Sequence, residues 1–239
     1  MNGSENAAMF ARIAARYDLA NDVLSGGLHR VWRRRLIELV DVKRGARCLD
    51  CATGTGDVAF ALEAAGGDVT GIDACEPMLR EARVKAADRK SPIKSPKKSP
   101  KKSAVRFELA DVQKLPFDDD EFDLVTIAFG IRNVVDPRLG LKEMARVTKP
   151  GGRIAVLEFG QPQGLFGAAY RTYGKWILPR LGGVVAGSSA PYAYLRDSAG
   201  SFAAGDGFLA WLNDIDGVVG ARDVPLFHGL AHIYVADRR

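Results

Sequence analysis

The chain of 239 residues has few of the side chains that build disulfide frameworks or metal sites, with three cysteines and three histidines. An odd number of cysteines without framework spacing favours a reducing compartment such as the cytoplasm. Cys48 and Cys51 form a C-x-x-C pair, but residues three apart in a strand face opposite sides of a sheet. No second Cys/His pair completes a zinc site. We therefore interpret these cysteines as buried free thiols and predict no metal.

Long hydrophobic runs are also missing. No apolar stretch reaches the length of about 18 residues that indicates a transmembrane helix, and the first residues lack the pattern of a signal peptide. We therefore expect a cytoplasmic protein. The formal net charge is +5, but 88–104 alone holds seven Lys/Arg and one Asp. The rest of the chain is close to neutral, so the basic character is local.

Short apolar runs and helical periodicities alternate along most of the chain. Strands are predicted at RCLDCA, DVTGID, AVRFELAD, FDLVTIAFG and RIAVLEF, with helices between most of them. This alternation predicts an α/β fold whose parallel sheet carries helices on both faces. Two later strands, GARDVPLF and AHIYVAD, are expected to pair antiparallel. The helix after Asp136, its predicted N-cap, is expected to turn Thr148 inward and to end at Gly151–Gly152.

We predict a single domain over 1–239 with three additions. A helical cap occupies about 1–44, and its second helix turns Trp32, Leu36 and Leu39 inward. A Lys/Pro/Ser-rich loop, about 88–104, is expected to be disordered. An aromatic and basic insert, about 160–205, is too long for a simple connection and is expected to cover the site. Ordinary core packing is the alternative explanation for its aromatic residues.

The stretch LDCATGTGD, Leu49–Asp57, combines a buried strand with a glycine turn. Ligands of open parallel sheets bind beyond the carboxyl ends of the strands. Gly54 and Gly56 let the backbone approach a ligand at the start of the next helix. Asp73 ends the following strand 17 residues after Gly56, where a carboxylate commonly binds ribose hydroxyls. The pattern therefore predicts a nucleoside site.

Acidic residues around this turn decide between nucleosides. Asp50 precedes the turn and Asp57 follows it, so a pyrophosphate would meet two negative charges, whereas a sulfonium would be attracted. We therefore predict S-adenosylmethionine, with NAD and an unliganded turn as the alternatives. Asp111 follows the third strand, where it can accept from an adenine amino group while Val112 packs on the ring. A simple turn aspartate is the alternative for Asp111.

With these segments in place, the sequence resembles the class I methyltransferases, and more narrowly the ubiquinone/menaquinone biosynthesis C-methyltransferases. The resemblance is carried by RYDLANDVLSGGLHRVW, LDCATGTGD, GID, FDLVTIAFGIRNVVD, EMARVTKPGGRIAVLEF and YAYLRDS. It implies a Rossmann-like, seven-stranded, mostly parallel sheet with helices on both faces. It also implies cofactor contacts at Thr55, Asp73, Asp111 and Val112.

The chain departs from this family at several positions. Ala128 and Gly160 stand where a serine is common, so one hydroxyl contact to the cofactor at Ala128 is lost. Ala20 replaces a usual methionine, and Thr148 replaces a usual aliphatic residue. The Lys/Pro loop is an addition, and the C-terminal part follows the family only loosely.

The resemblance implies methyl transfer to a ring carbon of a reduced polyprenyl quinol, from demethylmenaquinol to menaquinol. The ubiquinone precursor 2-polyprenyl-6-methoxy-benzoquinol or another small acceptor is the alternative. We predict that Arg132 stabilises the phenolate and Asn133 orients a hydroxyl; pairing of Arg132 with Asp136 or Asp18 is the competing interpretation. His29 is a candidate for proton transfer or a structural hydrogen bonder.

A polyprenyl tail lies in the bilayer, so we expect peripheral contact with the inner face of the membrane through the cap or the insert. Ser-Pro-Lys-Lys repeats can follow a DNA minor groove. Because the run is short and the rest of the chain is near neutral, a nucleic-acid partner is not expected. Whether the enzyme is a homodimer stays open.

Overall fold

The computed structural model describes residues 10–11, 14, 17–89, 104–168, 172 and 198–239. Most of the predicted Lys/Pro/Ser loop and most of the predicted insert, including its aromatic residues 170–194, lie outside these residues.

In the described part of the chain, seven strands form one sheet in the order β3-β2-β1-β4-β5-β7-β6. The strands are β1 (Arg47–Cys51), β2 (Asp68–Asp73), β3 (Arg106–Leu109), β4 (Phe122–Ala128), β5 (Thr148–Phe159), β6 (Val218–Leu226) and β7 (Ala231–Arg238). The first five are parallel, while β7 runs antiparallel to both β5 and β6. The strand order reverses direction between β1 and β4, which creates the crevice where ligands of such sheets bind.

Helices cover both faces of this sheet. They are α1 (Tyr17–Ser25), α2 (Leu28–Val40), α3 (Asp57–Ala64), α4 (Glu76–Asp88), α5 (Pro137–Val147) and α6 (Asp206–Asn213), with a 3₁₀ turn at Ile131–Asn133. One core cluster packs α5 and α6 on the sheet, through residues such as Met144 and Phe208. The other packs α2 and α3 on the opposite face, through Leu36 and Leu62. Parallel strands buried on both faces explain the continuous apolar runs in the sequence.

The predicted helix boundary at Gly151–Gly152 is wrong. Helix α5 ends at Val147, and Thr148 is the first residue of β5 in extended conformation. Asp136 caps the helix as predicted, accepting from the Leu139 amide at 3.1 Å. The β-branched Thr148 is followed by Lys149-Pro150, and a residue before proline avoids the helical region. Thr148 is buried, but as a strand residue whose hydroxyl donates to the Met144 carbonyl at 2.6 Å.

The two cysteines of the C-x-x-C pair are buried on opposite faces of β1. Cys48 belongs to the α2/α3 side of the core and Cys51 to the α5/α6 side. In the cap, Trp32 and Leu36 are buried as predicted, whereas Leu39 is only half-buried. Among the described residues, no helix combines the length and apolar character needed to cross a bilayer.

Candidate active site

A cleft opens beyond the carboxyl ends of β1, β2 and β4. Its wall includes six of the predicted site residues, Gly54, Asp73, Asp111, Val112, Ala128 and Asn133. Phe10 and Tyr17 of the cap, Met78 of α4 and Phe129 complete much of the described lining. The other predicted residues, Asp50, Thr55, Gly56, His29 and Arg132, are not among the described residues of the wall.

The glycine turn brings backbone to the cleft. Gly54 and Gly56 have φ of 57° and 88°, in the left-handed region that favours glycine. A Cβ on Gly56 would lie 2.8 Å from the Phe60 ring, so no larger residue fits there without displacing that ring. The turn therefore needs glycine at both positions, and Gly56 serves its shape while Gly54 faces the cleft.

Asp73 is held at the end of β2 by two backbone donors. Its Oδ2 accepts from the Gly54 amide at 2.8 Å, and its Oδ1 accepts from the Cys75 amide at 2.8 Å. Burial raises the pKa of Asp73, although these hydrogen bonds favour its ionised form. The carboxylate is thus fixed in orientation and has lone pairs left for the hydroxyls of a ribose.

Asp111 and Val112 occupy the opposite part of the wall. The Asp111 carboxylate accepts from the Gln113 amide at 2.9 Å in a local turn, as the alternative interpretation of this residue required. It is exposed and also lines the cleft, so the turn and a ligand contact are compatible. Val112 is 6% exposed and presents an apolar surface beside it.

The expectation that Asp50 and Asp57 present their negative charges to the bound ligand is wrong, because neither residue lines the described part of the cleft. Asp50 is buried beneath the turn, where it accepts from the Thr53 hydroxyl at 2.6 Å and the Thr126 hydroxyl at 2.8 Å. Burial raises the pKa of Asp50 to about 6. Among the described residues, the carboxylates that line the cleft are Asp73 and Asp111.

Asp57 is neutralised by two cations outside the cleft. It pairs with Arg33 of α2 and, at 3.2 Å, with Lys85 of α4. Burial alone would raise the pKa of Asp57, but Arg33 and Lys85 outweigh burial and hold it below its ordinary value.

Thr55 points toward the cap rather than into the cleft. Its hydroxyl donates to Asp18 of α1 at 2.7 Å and accepts from Lys85 at 2.8 Å. The residue is 3% exposed. The structure therefore places the Thr55 side chain in a polar cluster between three elements, away from the predicted cofactor contact.

The 128–130 segment forms the wall next to the end of β4. Ala128 is half-buried and lines the cleft. Phe129 has φ of 55°, an uncommon value for a bulky residue and one that costs backbone strain. A Cβ on Gly130 would lie 2.5 Å from the Ala52 side chain, so this segment packs directly against the glycine turn.

Arg132 is held by Glu158, and not by Asp136 or Asp18 as the competing interpretation proposed. Its Nη1 donates to Glu158 Oε1 at 2.6 Å, and the two side chains are 6% and 1% exposed. The same nitrogen donates to the Phe129 carbonyl at 2.6 Å. The guanidinium lies over the Phe159 ring, and its Nε is buried without a hydrogen-bond partner in the described part of the chain.

His29 lies in the cap and contacts α1. Its Nδ1 is 2.5 Å from the Ser25 hydroxyl, and its Nε2 is 3.4 Å from Asp22. Burial lowers the pKa of His29, and Arg33 adds to that effect. This environment supports the structural interpretation over the proton-transfer interpretation.

Sequence reasoning missed two charged residues, Glu158 and Lys85. Glu158 could have been found, because an acid inside the apolar strand RIAVLEF requires a partner. Lys85 gave no such signal, since a lysine in the last turn of a helix is common.

Comparisons with known proteins agree with this geometry. The ubiE/COQ5 methyltransferase family matches residues 2–235. The ubiquinone/menaquinone biosynthesis C-methyltransferase UbiE of Bdellovibrio bacteriovorus is 44% identical over 229 residues, which cover 95% of this chain and 92% of that protein. The demethylmenaquinone methyltransferase of Thermus thermophilus is 44% identical over 233 residues, covering 96% and 100%.

A solved structure of a SAM-dependent methyltransferase from Thermotoga maritima superposes with a TM-score of 0.66 at 15% identity, covering 98% of this chain and 100% of that one. This likeness confirms the predicted class I, Rossmann-like fold. The family match and the relatives confirm the predicted family. The chain belongs to the ubiE/COQ5 methyltransferase family.

Proposed function

We propose that this protein transfers the methyl group of S-adenosylmethionine to a ring carbon of a polyprenyl quinol, converting demethylmenaquinol to menaquinol. The observation that carries the proposal is the family match over nearly the whole chain, supported by relatives named for quinone C-methylation. The prediction of an S-adenosylmethionine-dependent methyltransferase is confirmed by family and fold. We propose menaquinol rather than a ubiquinol as the product because the Thermus thermophilus relative is named a demethylmenaquinone methyltransferase.

Cofactor binding uses the glycine turn and the two cleft carboxylates. Asp73 accepts from the ribose hydroxyls and Asp111 from the adenine amino group, while Val112 packs on the adenine ring. Gly54 allows the backbone to approach the ligand. Ala128 lines the cleft without a hydroxyl, so this position contributes contact area only.

Methyl transfer needs no nucleophile from the protein, because the quinol ring supplies it. A quinol ring carbon attacks the methyl carbon, the new carbon–carbon bond forms as the carbon–sulfur bond breaks, and S-adenosylhomocysteine leaves. The ring carbon then loses its proton to restore aromaticity. Deprotonation of a quinol hydroxyl makes the ring more nucleophilic, and the phenolate and the sulfonium neutralise each other in the transition state. Alignment and exclusion of water therefore supply most of the catalysis.

Asn133 and Arg132 are the residues we assign to the acceptor. Asn133 lines the cleft next to the end of β4, where its amide can orient a quinol hydroxyl. Arg132 does not line the described part of the cleft and its Nε is buried, so we assign it a supporting role: its guanidinium, fixed by Glu158, holds the Phe129 carbonyl in the wall beside the acceptor. We assign His29 to the packing of the cap.

A labelling assay tests the proposal. The purified protein receives methyl-labelled S-adenosylmethionine with reduced demethylmenaquinol or the reduced ubiquinone precursor, each in detergent. We expect label in demethylmenaquinol that depends on reductant and is abolished by Asp73→Ala. Label only in the ubiquinone precursor would replace the menaquinone assignment. Label in neither quinol, with cofactor binding intact, would contradict quinol methylation and redirect the search to other acceptors.

We also propose that the enzyme works in the cytoplasm, in peripheral contact with the inner face of the membrane. Three exposed apolar side chains lie at the edge of the sheet where the cleft opens. Val135 follows β4 and is 65% exposed, Leu165 follows β5 and is 92% exposed, and Phe227 in the β6–β7 turn is 51% exposed. They support contact between this edge and a bilayer that holds the prenyl tail.

Vesicle flotation tests this contact. Leu165→Asp combined with Phe227→Asp is expected to lower vesicle binding and to slow methylation of a long-chain quinol in vesicles, while a short-chain quinol is methylated at the normal rate. The matched control is Val219→Asp, which changes an exposed residue of β6 at the opposite edge of the sheet. Equal vesicle binding by all variants would contradict the proposed contact surface.

A further inference from the structure

Lys85 joins three elements that are far apart in sequence. It lies in the last turn of α4, and its ammonium group contacts three side chains. It pairs with Asp18 of α1, donates to the Thr55 hydroxyl at 2.8 Å and lies 3.2 Å from Asp57 Oδ1. The Lys85 cluster is defined as these four residues together with Arg33, which pairs with Asp57 from α2.

The cluster connects the cap to the glycine turn. Asp18 and Arg33 belong to the two cap helices, Thr55 lies between the two turn glycines, and Asp57 begins α3. Thr55 also donates directly to Asp18 at 2.7 Å. The Lys85 side chain is 29% exposed, so its ion pairs are partly shielded from solvent. Asp18 thus contacts Thr55 of the glycine turn and Lys85 of α4, so the cluster joins α1 to both of these elements.

The cap residues next to Asp18 form one wall of that cleft. Tyr17 and Phe10 line it, and Ala14 packs with Met78 and Cys75 at the start of α4. Because α1 begins at Tyr17, a displacement of Asp18 also displaces Tyr17 from the wall. The Lys85 cluster is thus placed where it can fix the position of Tyr17 at the cleft.

We propose that Lys85 is a positioning residue that holds helix α1 of the cap closed over the cofactor. Its ammonium group bridges Asp18 of α1 and Asp57 at the start of α3, and the Thr55 hydroxyl accepts from Lys85 and donates to Asp18. The proposal rests on the proposed function only for the identity of the cofactor. It assigns a role to Lys85, for which neither the sequence nor the family resemblance suggested one.

Closure of this kind has a defined thermodynamic signature. The apparent affinity for a ligand is reduced by the fraction of protein in the binding-competent state. When the bridge is removed, the free protein spends less time with the cap closed, and cofactor affinity falls. A saturating concentration of cofactor restores the closed cap, so the rate at saturation is preserved.

Direct binding of S-adenosylhomocysteine by calorimetry tests the proposal without any quinol. Lys85→Met is expected to raise the Kd by about tenfold, as for a closed fraction that falls to roughly one tenth. Lys85→Arg is expected to recover most of the affinity. Asp18→Asn removes the same bridge from the cap side, and the double variant should bind no more weakly than Lys85→Met alone. Arg80→Met, an exposed cation on the same helix, is the matched control.

Two further measurements separate positioning from a general loss of structure. Hydrogen exchange of the α1 amides should be faster in free Lys85→Met and return to the wild-type rate at saturating S-adenosylhomocysteine. In the methyl-transfer assay, KM for S-adenosylmethionine should rise while kcat stays within about twofold. An unchanged Kd in both Lys85→Met and Asp18→Asn would overturn the proposal. So would a fall in kcat with an unchanged KM. If neither quinol is methylated, the Kd and the exchange rates still decide the role of Lys85.

Discussion

The two sides of the cleft are fixed by different kinds of interaction. On the side that we propose binds the cofactor, the Asp73 carboxylate is oriented by two backbone amides, those of Gly54 and Cys75. On the side that we propose binds the acceptor, the wall is supported by a buried ion pair between Arg132 and Glu158. The Arg132 guanidinium also donates to the carbonyl oxygen of Phe129. Phe129 has a positive φ and lines the cleft.

This difference separates binding from stability. The backbone donors stay in place when the Asp73 side chain is replaced, because the fold positions them. Such a replacement therefore changes ligand affinity more than it changes the free energy of unfolding. A buried ion pair behaves in the opposite way, because removal of one partner leaves the other charged and desolvated. We therefore expect changes on the cofactor side to affect affinity and changes on the acceptor side to affect the free energy of unfolding as well as activity.

The largest expected effect is on stability at the acceptor side. Glu158→Gln removes the charge that neutralises Arg132, whose side chain is 6% exposed. We expect the free energy of unfolding to fall by about 3–5 kcal/mol, the usual consequence of leaving one partner of a buried pair uncompensated. Urea denaturation monitored by circular dichroism measures it.

The double variant Arg132→Met with Glu158→Gln is the control for this prediction. It removes both charges, so it should be more stable than Glu158→Gln alone while remaining inactive in methyl transfer. If the two single changes and the double change destabilise additively, the ion pair does not hold this side of the cleft.

The cofactor side should give the next largest effect. In Asp73→Asn, the amide has one oxygen for two backbone donors, so its NH₂ group opposes the Gly54 or the Cys75 amide. We expect the Kd for S-adenosylhomocysteine to rise by about 100-fold, which corresponds to roughly 3 kcal/mol. The unfolding free energy should change far less than in Glu158→Gln.

Asp68→Asn is the matched control for that change. Asp68 lies at the other end of β2 and pairs with Arg106 on the surface. Its replacement should leave the Kd unchanged. A similar loss of affinity in both variants would mean that Asp73 acts through the strand and not through direct contact with the ligand.

The positions of Asp73 and Asp111 could be predicted from the sequence because each follows a strand, and the ends of parallel strands meet at one edge of the sheet. The surroundings of Asp50 could not. Its partner Thr126 lies 76 residues away, and no local pattern indicates that the pair meets under the glycine turn. Asp57 shows the same limit, because its cations come from α2 and α4. Charge is visible in a sequence, whereas the neutralising partner depends on packing.

Asp50 predicts a pH dependence of stability. Its folded pKa is raised by burial from 3.8 to about 6. The folded state therefore binds more protons than the unfolded state between these values, and this carboxyl contributes stability at low pH that is lost as the pH rises through about 6. We expect Asp50→Asn to become more stable relative to wild type by about 2 kcal/mol between pH 4 and pH 6. If the difference in unfolding free energy between Asp50→Asn and wild type is constant from pH 4 to pH 6, burial does not raise the pKa of Asp50.

The smallest expected effect concerns His29, outside both sides of the cleft. Its ring nitrogens face Ser25 and Asp22, both on α1. We expect His29→Gln to lower the unfolding free energy by about 1 kcal/mol through the lost hydrogen bond and to leave kcat within about twofold. A histidine that transferred the quinol proton would instead contribute about 100-fold or more to kcat. The pH dependence of kcat at saturating cofactor distinguishes these roles, because only a proton-transfer role makes the profile of the variant differ from that of wild type. Asn133→Ala, which changes a residue of the cleft wall, is the comparison variant. It is expected to lower kcat, whereas His29→Gln is expected to keep kcat close to the wild-type value.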